Sequence, residues 1–175
     1  MVKRIRRIVT GHDRNGKAVI IFDSDAPNVK IRPGGTGSSA LWRTHSTPAI
    51  NKGSEDAVLG DIPLQPPTFG SVFRIVEFAP DANVAKEGPG LAEQLGAHSA
   101  EGAANRHAGT HRTDSIDYAI VMSGEIDMLM DEEKDDVHVK AGDVIIQRGT
   151  NHAWVNRGNM PCQIAFVLID AEPAI

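Results

Sequence analysis

Histidine is the residue type in this chain that is best suited to chemistry, because imidazole exchanges protons near neutral pH and binds transition metals. The chain has seven histidines and one cysteine, Cys162, so it cannot form an intramolecular disulfide or a cysteine-based metal cluster. His107 precedes His111 by four residues and is within reach of the same site. The histidines expected to be exposed, in turns, strands or a loop, are His12, His45, His98 and His138.

Length and composition are those of a globular protein. The 175 residues include 41% hydrophobic and 23% charged residues, enough for one packed domain. The net charge of −5 argues against nucleic-acid binding, which needs a cationic face. No run approaches the ~20 apolar residues that cross a bilayer, and the single cysteine suits a reducing cytosol. We therefore expect a cytoplasmic protein with neither nucleic-acid nor membrane partners.

The C-terminal part is predicted to consist of short strands. Apolar stretches rich in Val and Ile alternate with Gly, Asp and Asn, which favours strands joined by turns. The predicted strands are residues 118–122, 126–130, 137–139, 144–147, 153–156 and 163–169. The last of these is apolar on both faces, so we expect it to be covered on both. Many short strands at this spacing are typical of a sandwich or jelly roll.

The N-terminal part is predicted to begin with a hairpin. Residues 5–9 and 18–22 flank an Asn-Gly pair, which readily adopts the positive φ of a tight turn. Residues 24–40 and 45–70 are rich in Asp, Pro, Gly and Ser without periodicity, so they are predicted as surface coil. A short strand is expected between them at residues 41–43.

A long connection follows the next predicted strand, residues 72–78. Residues 80–109 are rich in Gly, Ala and Pro, and only residues 91–95 are expected to form a helical turn. A poorly structured loop of this length is uncommon inside a compact domain and is either disordered or functional. Both interpretations stay open here, the functional one being a lid over a pocket.

Two motifs in the C-terminal part resemble the signatures of the cupin superfamily. Residues 109–124 resemble the first signature, in which a His-x-His pair is followed by a carboxylate and then by glycine. His111 takes the first histidine position, Thr113 replaces the second, and Asp117 takes the position of the usual glutamate. Gly124 fits the closing glycine.

The second signature opens on glycine and closes on His-x3-Asn. Residues 142–156 resemble it and end with His152 and Asn156. The resemblance implies a mainly β fold, the cupin double-stranded β-helix or jelly-roll barrel, in a single domain spanning the chain. Residues 71–175 would form the barrel with both motifs, and residues 1–70 an extension of N-terminal strands and surface coil. The whole chain is similar to bacterial stand-alone cupins.

The resemblance also implies a site inside the barrel. In metal-binding cupins the signature residues converge on one divalent ion, so His111, Asp117 and His152 are the predicted ligands of Fe, Mn, Ni or Zn, with positions left open for substrate and water. An alternative has no ion: the histidines bond to Asp117 or Thr113 and act as general acid or base. On either interpretation His111, Asp117 and His152 are the catalytic residues.

Other residues within the two motifs are predicted to line the substrate pocket. They are Arg112, Thr113, Tyr118, Arg148, Trp154 and Asn156. Trp154 is equally consistent with a core aromatic, and the two arginines with surface positions at strand edges.

Two functions follow from this resemblance. The first is an enzyme of dehydratase, decarboxylase or isomerase type that acts on a small polar or carbonyl-bearing molecule, with or without a divalent metal. The second is a non-catalytic cupin that binds or senses a small molecule without metal. Fold alone does not separate them. Cupins often pair through an N-terminal strand, so a homodimer is also expected.

Overall fold

The computed structural model of the protein describes residues 2–83, 90–97 and 106–174. Within them the fold is mainly β, as the sequence predicts, with eleven strands, one short α-helix and two 3-10 turns. In chain order the strands and helix are β1 (Arg6–His12), β2 (Ala18–Asp25), β3 (Asn28–Ile31), β4 (Gly37–Thr44), β5 (Ser71–Phe78), α1 (Leu91–Gln94), β6 (Ser115–Ser123), β7 (Glu125–Leu129), β8 (Val137–Lys140), β9 (Val144–Arg148), β10 (Ala153–Val155) and β11 (Cys162–Asp170).

Two antiparallel sheets pack face to face around the main core. The larger has the strand order β3-β4-β5-β11-β6-β9, and the smaller has the order β10-β7-β8. The core joins Ile164 and Phe166 of the larger sheet to Ile126, Met128 and Trp154 of the smaller one. Burial of such side chains is the main favourable term in folding. This arrangement confirms the expected jelly roll and the predicted C-terminal strands.

The turn between β6 and β7 requires the glycine of the first signature. Gly124 has φ +77°, in the left-handed region, and a Cβ atom there would lie 2.7 Å from the carbonyl oxygen of Pro161. Any other residue would therefore be strained and would clash with the backbone. This glycine sets the tight approach between the β6–β7 turn and the start of β11.

The larger sheet is covered on its outer face near its centre. Ala165 of β11 and Ile75 of β5 point away from the main core and pack with Ala26, Leu41 and the half-buried Ile5. Strand β11 is therefore covered on both faces, as its apolar sequence predicts.

The prediction of surface coil for residues 24–40 is wrong. This segment contains β3 and the first half of β4, and Ser38, Ser39 and Ala40 are buried. These small side chains carry no apolar periodicity, and their burial comes from pairing with β5, so tertiary context overrides local propensity. The short strand expected at residues 41–43 is the end of β4.

Residues 45–70 form no strand, as predicted, but they are not only surface coil. Val58 and Ile62 are buried against Ala40 of β4 and Val72 of β5. The segment thus contributes a small core of its own.

The long connection is only partly described. It contains a 3-10 turn, Asp81–Asn83, and the helical turn expected near residue 91, which is α1. Residues 84–89 and 98–105, including His98, lie outside the described residues. No helix in the described part of the chain is long and apolar enough to span a membrane.

A buried ion pair ties the N-terminal hairpin to the coil. Arg7 donates hydrogen bonds to both carboxylate oxygens of Asp56, at 2.8 and 2.5 Å, and to the carbonyl oxygen of Leu41. The side chains of Arg7 and Asp56 are 5% and 11% exposed. An arginine buried this deeply depends on its carboxylate partner, because removing one member of a buried pair leaves an uncompensated charge.

We expect Asp56→Ala to lower the free energy of unfolding by about 3 kcal/mol, the cost of leaving the Arg7 charge without its partner. Urea denaturation followed by circular dichroism measures it. Asp61→Ala is the control, because Asp61 pairs with Lys30 at the surface and its removal should change stability little. Equal losses in the two variants would contradict this account.

Candidate functional site

A cavity lies between the two sheets. Its empty volume, including the part open to solvent, is about 510 Å³. Most of the wall is apolar and comes from strands β5, β10 and β11, with Leu91, Ala92 and Leu95 added by the helical turn. The polar side chains in the lining are Arg74, His111, Thr113, Asp117, Gln147 and His152. The three predicted catalytic residues therefore line one cavity.

Backbone pairing brings the two signature histidines together. The amide nitrogen of each donates to the carbonyl oxygen of the other, at 3.0 Å from His111 and 3.1 Å from His152. The ring centroids are 4.5 Å apart. The bridge joins the segment before β6 in the larger sheet to the segment before β10 in the smaller one.

The hydrogen bonds of the rings define their tautomers. Nδ1 of His111 lies 2.8 Å from the carbonyl oxygen of Gly109, and Nδ1 of His152 lies 3.0 Å from that of Thr150. A carbonyl oxygen only accepts, so each Nδ1 carries the hydrogen and donates it. In the neutral ring, Nε2 is then the unprotonated nitrogen and is a proton acceptor.

Burial keeps both rings neutral. It lowers the pKa of His152 to about 3, helped by the neighbouring His111, although the hydrogen bond to Thr150 opposes the change. Burial also lowers the pKa of His111, against the hydrogen bond to Gly109. An apolar environment disfavours the charged imidazolium. Both histidines are therefore weak bases that hold no proton on Nε2 at neutral pH.

The pKa of Asp117 is raised, whereas the pKa values of the two histidines are lowered. Burial raises the pKa of its carboxyl to about 6, although the hydrogen bond from Ser115 and the charge of Arg74 both oppose the change. Ser115 donates its hydroxyl hydrogen to Oδ1 at 2.6 Å, so its oxygen accepts from Thr113, 2.7 Å away. Thr113, in the position of the second signature histidine, thus supports the carboxyl through Ser115.

The predicted metal-ligand set is not assembled. No group of three or more His, Cys, Asp or Glu side chains in the described residues is arranged to hold a metal ion, so His111, Asp117 and His152 do not fit that role together. One carboxylate oxygen of Asp117 is engaged by Ser115, and aspartate is one methylene shorter than the usual glutamate. Within the described part of the chain, the paired imidazoles lack the third ligand of a facial set.

Thr113 and Trp154 line the cavity as predicted, but the other predicted pocket residues do not belong to its lining. Tyr118 alternates with Asp117 on β6 and is 41% exposed on the opposite face of the sheet. Arg148 is likewise exposed next to the buried Gln147 on β9. Side chains alternate between the faces of a strand, so these two point away from the cavity.

Asn156 and Arg112 also lie outside the lining. The side-chain amide of Asn156 donates to the carbonyl oxygens of Phe78 and Met160, at 3.0 and 2.8 Å, which is a structural role. Arg112 is half-buried and does not reach the lining. His107 accepts a hydrogen bond from the amide of Gly109 and also stays outside it.

Two polar side chains of the lining were missed by sequence reasoning, Arg74 and Gln147. Arg74 shares the inner face of β5 with Val72 and Val76, and Gln147 shares the inner face of β9 with Ile145. A polar residue at an inward position of an apolar strand was the available signal. The inward direction of Arg74 and Gln147 becomes clear once successive side chains are assigned to alternate faces of β5 and β9.

Known proteins resemble this chain in fold and in sequence. A conserved protein with a double-stranded β-helix domain from Klebsiella pneumoniae has a TM-score of 0.45 and 18% identity, over 82% of this chain and 86% of that one. The sequence profile of the cupin domain matches residues 99–169.

Two fungal relatives align over nearly the whole chain. Phomopsin biosynthesis cluster protein C' of Diaporthe leptostromiformis is 31% identical over 176 residues, 95% of this chain and 79% of that protein. The cupin-domain-containing oxidoreductase fogC of Aspergillus ruber is 27% identical, over 98% of this chain and 75% of that protein. The chain belongs to the cupin family.

We expect nuclear magnetic resonance of ¹⁵N-histidine-labelled protein to show His152 neutral, with hydrogen on Nδ1, at every pH above about 4, since its pKa is near 3. His138 is the internal control, because its hydrogen bond to Asp127 raises its pKa. Its resonances should titrate above 6.5, the usual pKa of a histidine side chain. Titration of His152 near or above 6.5 would contradict the burial described here.

The same shift makes stability depend on pH. The folded pKa of His152 lies below its unfolded value of 6.5, so this stabilising contribution is complete above pH 6.5 and is lost as the pH falls toward 3. His152→Gln should lose part of that acid sensitivity in melting curves.

Proposed function

We propose that this protein is an enzyme that moves protons on a small carbonyl-bearing molecule, in a reaction of dehydratase, decarboxylase or isomerase type. His111, Asp117 and His152 are its catalytic residues. The observation that carries the proposal is the presence, in one cavity, of two imidazoles with unprotonated Nε2 and a carboxyl with a pKa of about 6. Groups whose pKa values are shifted in opposite directions supply a base and an acid at the same pH.

The relatives add independent support for an enzyme. One is named a biosynthesis cluster protein and another a cupin-domain-containing oxidoreductase. The mostly apolar wall of the cavity suits a substrate with an apolar body and few polar groups. Because no group of three or more His, Cys, Asp or Glu side chains in the described residues is arranged to hold a metal ion, the proposed chemistry uses protein groups alone.

An enol is the intermediate that all three reaction types share. In dehydration and isomerisation, Nε2 of a histidine takes a proton from the carbon next to the carbonyl group, and the protonated carboxyl of Asp117 gives its proton to the carbonyl oxygen. The C–H bond breaks and an O–H bond forms. The enol then returns its O–H proton to Asp117 as the carbonyl re-forms, while the histidine gives its proton either to the β-hydroxyl group, which leaves as water, or to another carbon, which completes an isomerisation. In decarboxylation, the C–C bond of a β-keto acid breaks with loss of carbon dioxide, and Asp117 gives its proton to the carbonyl oxygen to form the enol.

Deuterium exchange tests this step without knowledge of the natural substrate. A panel of aryl ketones, β-hydroxy ketones and β-diketones is incubated with the protein in D2O, and exchange next to the carbonyl is followed by proton resonance. We expect exchange with wild-type protein and a loss of about 100-fold or more in His111→Gln or His152→Gln, the usual contribution of a general base. The control is His138→Gln, at an exposed position. Equal rates in all three variants would reject the proposal.

The pH dependence of the exchanging compound tests the role of Asp117. The acid form of its carboxyl is lost above about pH 6, so the rate should fall as the pH rises through that value. Asp117→Asn should be slower and should not show this fall. Asp135→Asn, in the exposed turn between β7 and β8, is the control. An unchanged profile in Asp117→Asn would assign the acid to another group.

The alternative is a binding or sensing cupin that breaks no bond. The apolar character of the cavity wall favours it, since such a wall retains a ligand without acting on it. Binding of panel compounds without any exchange would support this alternative.

The expected homodimer and cytoplasmic location stay predictions. Exposed apolar side chains on the outer face of β6 and β9, including Ile116, Ile120 and Ile146, support a pairing of two chains. A contiguous apolar surface of this kind is costly to leave in water.

A further inference from the structure

Two polar side chains in the cavity lining are deeply buried and incompletely hydrogen-bonded. Arg74 is 1% exposed and Gln147 is 4% exposed. Among the residues that the structure describes, neither Nε2 nor Oε1 of Gln147 has a hydrogen-bond partner, and Nε of Arg74 has none either. Buried polar atoms without partners are destabilising and rare in folded proteins. Both residues lie outside the set that moves protons in the proposed reaction.

The sheet brings these side chains to the same inner face. Gln147 of β9 is directly opposite Asp117 of β6, and Asp117 is directly opposite Leu168 of β11. Arg74 of β5 is opposite Phe166 on the other side of β11. Directly opposed side chains lie about 5 Å apart in an antiparallel sheet. Gln147 is therefore the direct neighbour of Asp117, whereas Arg74 lies two strands from Asp117 and three from Gln147. The long side chain of Arg74 and that of Gln147 reach the same cavity.

Arg74 supplies a positive charge that is poorly compensated. Its Nη2 donates to the carbonyl oxygen of Pro63, and Asp117 is near enough to act on its charge. No ion pair joins Arg74 to a carboxylate among the residues that the structure describes. The apolar wall would make a ligand anion a strong partner for this guanidinium, because a buried charge is stable only when it is paired.

Gln147 adds a donor and an acceptor to the lining of the same cavity. Its amide NH2 group can donate to an oxygen of the ligand, and its amide oxygen can accept from a hydroxyl or N–H group. A carboxylate inside the cavity has two oxygens, so one can accept from the guanidinium and the other from the amide.

We propose that Arg74 and Gln147 form a subsite that binds the carboxylate group of a small molecule with an apolar body. This inference rests on the proposed function in that it names the substrate class of the same cavity. The carboxylate lies against Arg74 and Gln147, and the apolar body of the molecule lies against the aromatic and aliphatic wall. The carbonyl carbon and its neighbour then fall beside the histidine pair and Asp117.

Binding of simple aromatic probes tests the subsite in the full-length protein. Benzoate carries a carboxylate on an apolar ring, and benzamide is its uncharged counterpart. By isothermal titration calorimetry we expect wild-type protein to bind benzoate at least tenfold more tightly than benzamide. Equal affinities, or no binding of either probe at millimolar concentration, would overturn the inference.

Variants assign the effect to the two residues. Arg74→Met should weaken benzoate binding at least tenfold and leave benzamide unchanged, and Gln147→Leu should weaken both about tenfold. Arg148→Met is the matched control, because Arg148 follows Gln147 on the same strand but is exposed on the opposite face. A preference for benzoate that survives Arg74→Met, or a loss as large in Arg148→Met, would also overturn it.

A second readout separates binding from structure. Gln147→Leu removes two unpaired buried polar atoms while nearly keeping the side-chain volume, so its melting temperature should be equal to or higher than that of wild type even though it binds the probes less well. A lower melting temperature would mean that Gln147 has a structural role. If Arg74→Met fails to fold, Arg74→Lys keeps the charge and should retain the preference for benzoate.

The experiment also distinguishes this inference from the proposed function. Probe binding needs no turnover. Benzoate binding that depends on Arg74, together with no deuterium exchange in any panel compound, would retain the subsite and reject the enzyme. Deuterium exchange without a preference for benzoate would reject the subsite and retain the enzyme.

Discussion

Two backbone hydrogen bonds between His111 and His152 hold together the segments that carry the two cupin signatures. One segment leads into the larger sheet and the other into the smaller sheet, so this short bridge joins the two layers beside the cavity. The bridge places the centroids of the two imidazole rings 4.5 Å apart. The carbonyl groups of Gly109 and Thr150 then fix which ring nitrogen carries hydrogen. The chemistry of the site therefore follows from main-chain pairing.

The apolar wall shifts the pKa of each ionisable group in the cavity in the direction that favours the uncharged form. It lowers the pKa of His152 to about 3, raises that of Asp117 to about 6 and lowers that of Arg74 to about 10. Each shift favours the uncharged form, because the surroundings solvate charge poorly. Of these three groups only the carboxyl of Asp117 titrates near neutral pH, and the buried guanidinium gains more from an anionic ligand than it would in a wet site.

The sequence allows the fold of the C-terminal half to be predicted because its strands alternate in hydrophobicity and its two signatures mark their turns. It does not reveal the first half of β4, where small residues such as Ser38 and Ser39 are buried by their neighbours rather than by their own hydrophobicity. The motif positions predict that His111, Asp117 and His152 line the cavity. They do not predict that Ser115 engages the carboxyl of Asp117, because that bond depends on side-chain geometry.

The polar residues of the cavity lining show the same limit of prediction from sequence. Gln147 stands in the second signature beside Arg148, and only the direction of the strand decides which of the two faces the cavity. The sequence prediction placed the charged Arg148 in the pocket, whereas alternation along β9 buries the uncharged Gln147. On β6 the prediction placed both Asp117 and Tyr118 in the site, and alternation leaves only Asp117 there. The register of one strand therefore decides the composition of the site.

The hairpin β1–β2 is a two-stranded sheet of its own, and none of its residues is in the described lining of the cavity. It is joined to the rest of the molecule through the pair of Arg7 and Asp56. The stabilising contribution of this pair and the recognition of a ligand consequently lie in different parts of the chain. Selection can adjust the thermal tolerance of this protein through the hairpin without altering what the barrel accepts, and the barrel can acquire a new ligand while the hairpin offsets the cost.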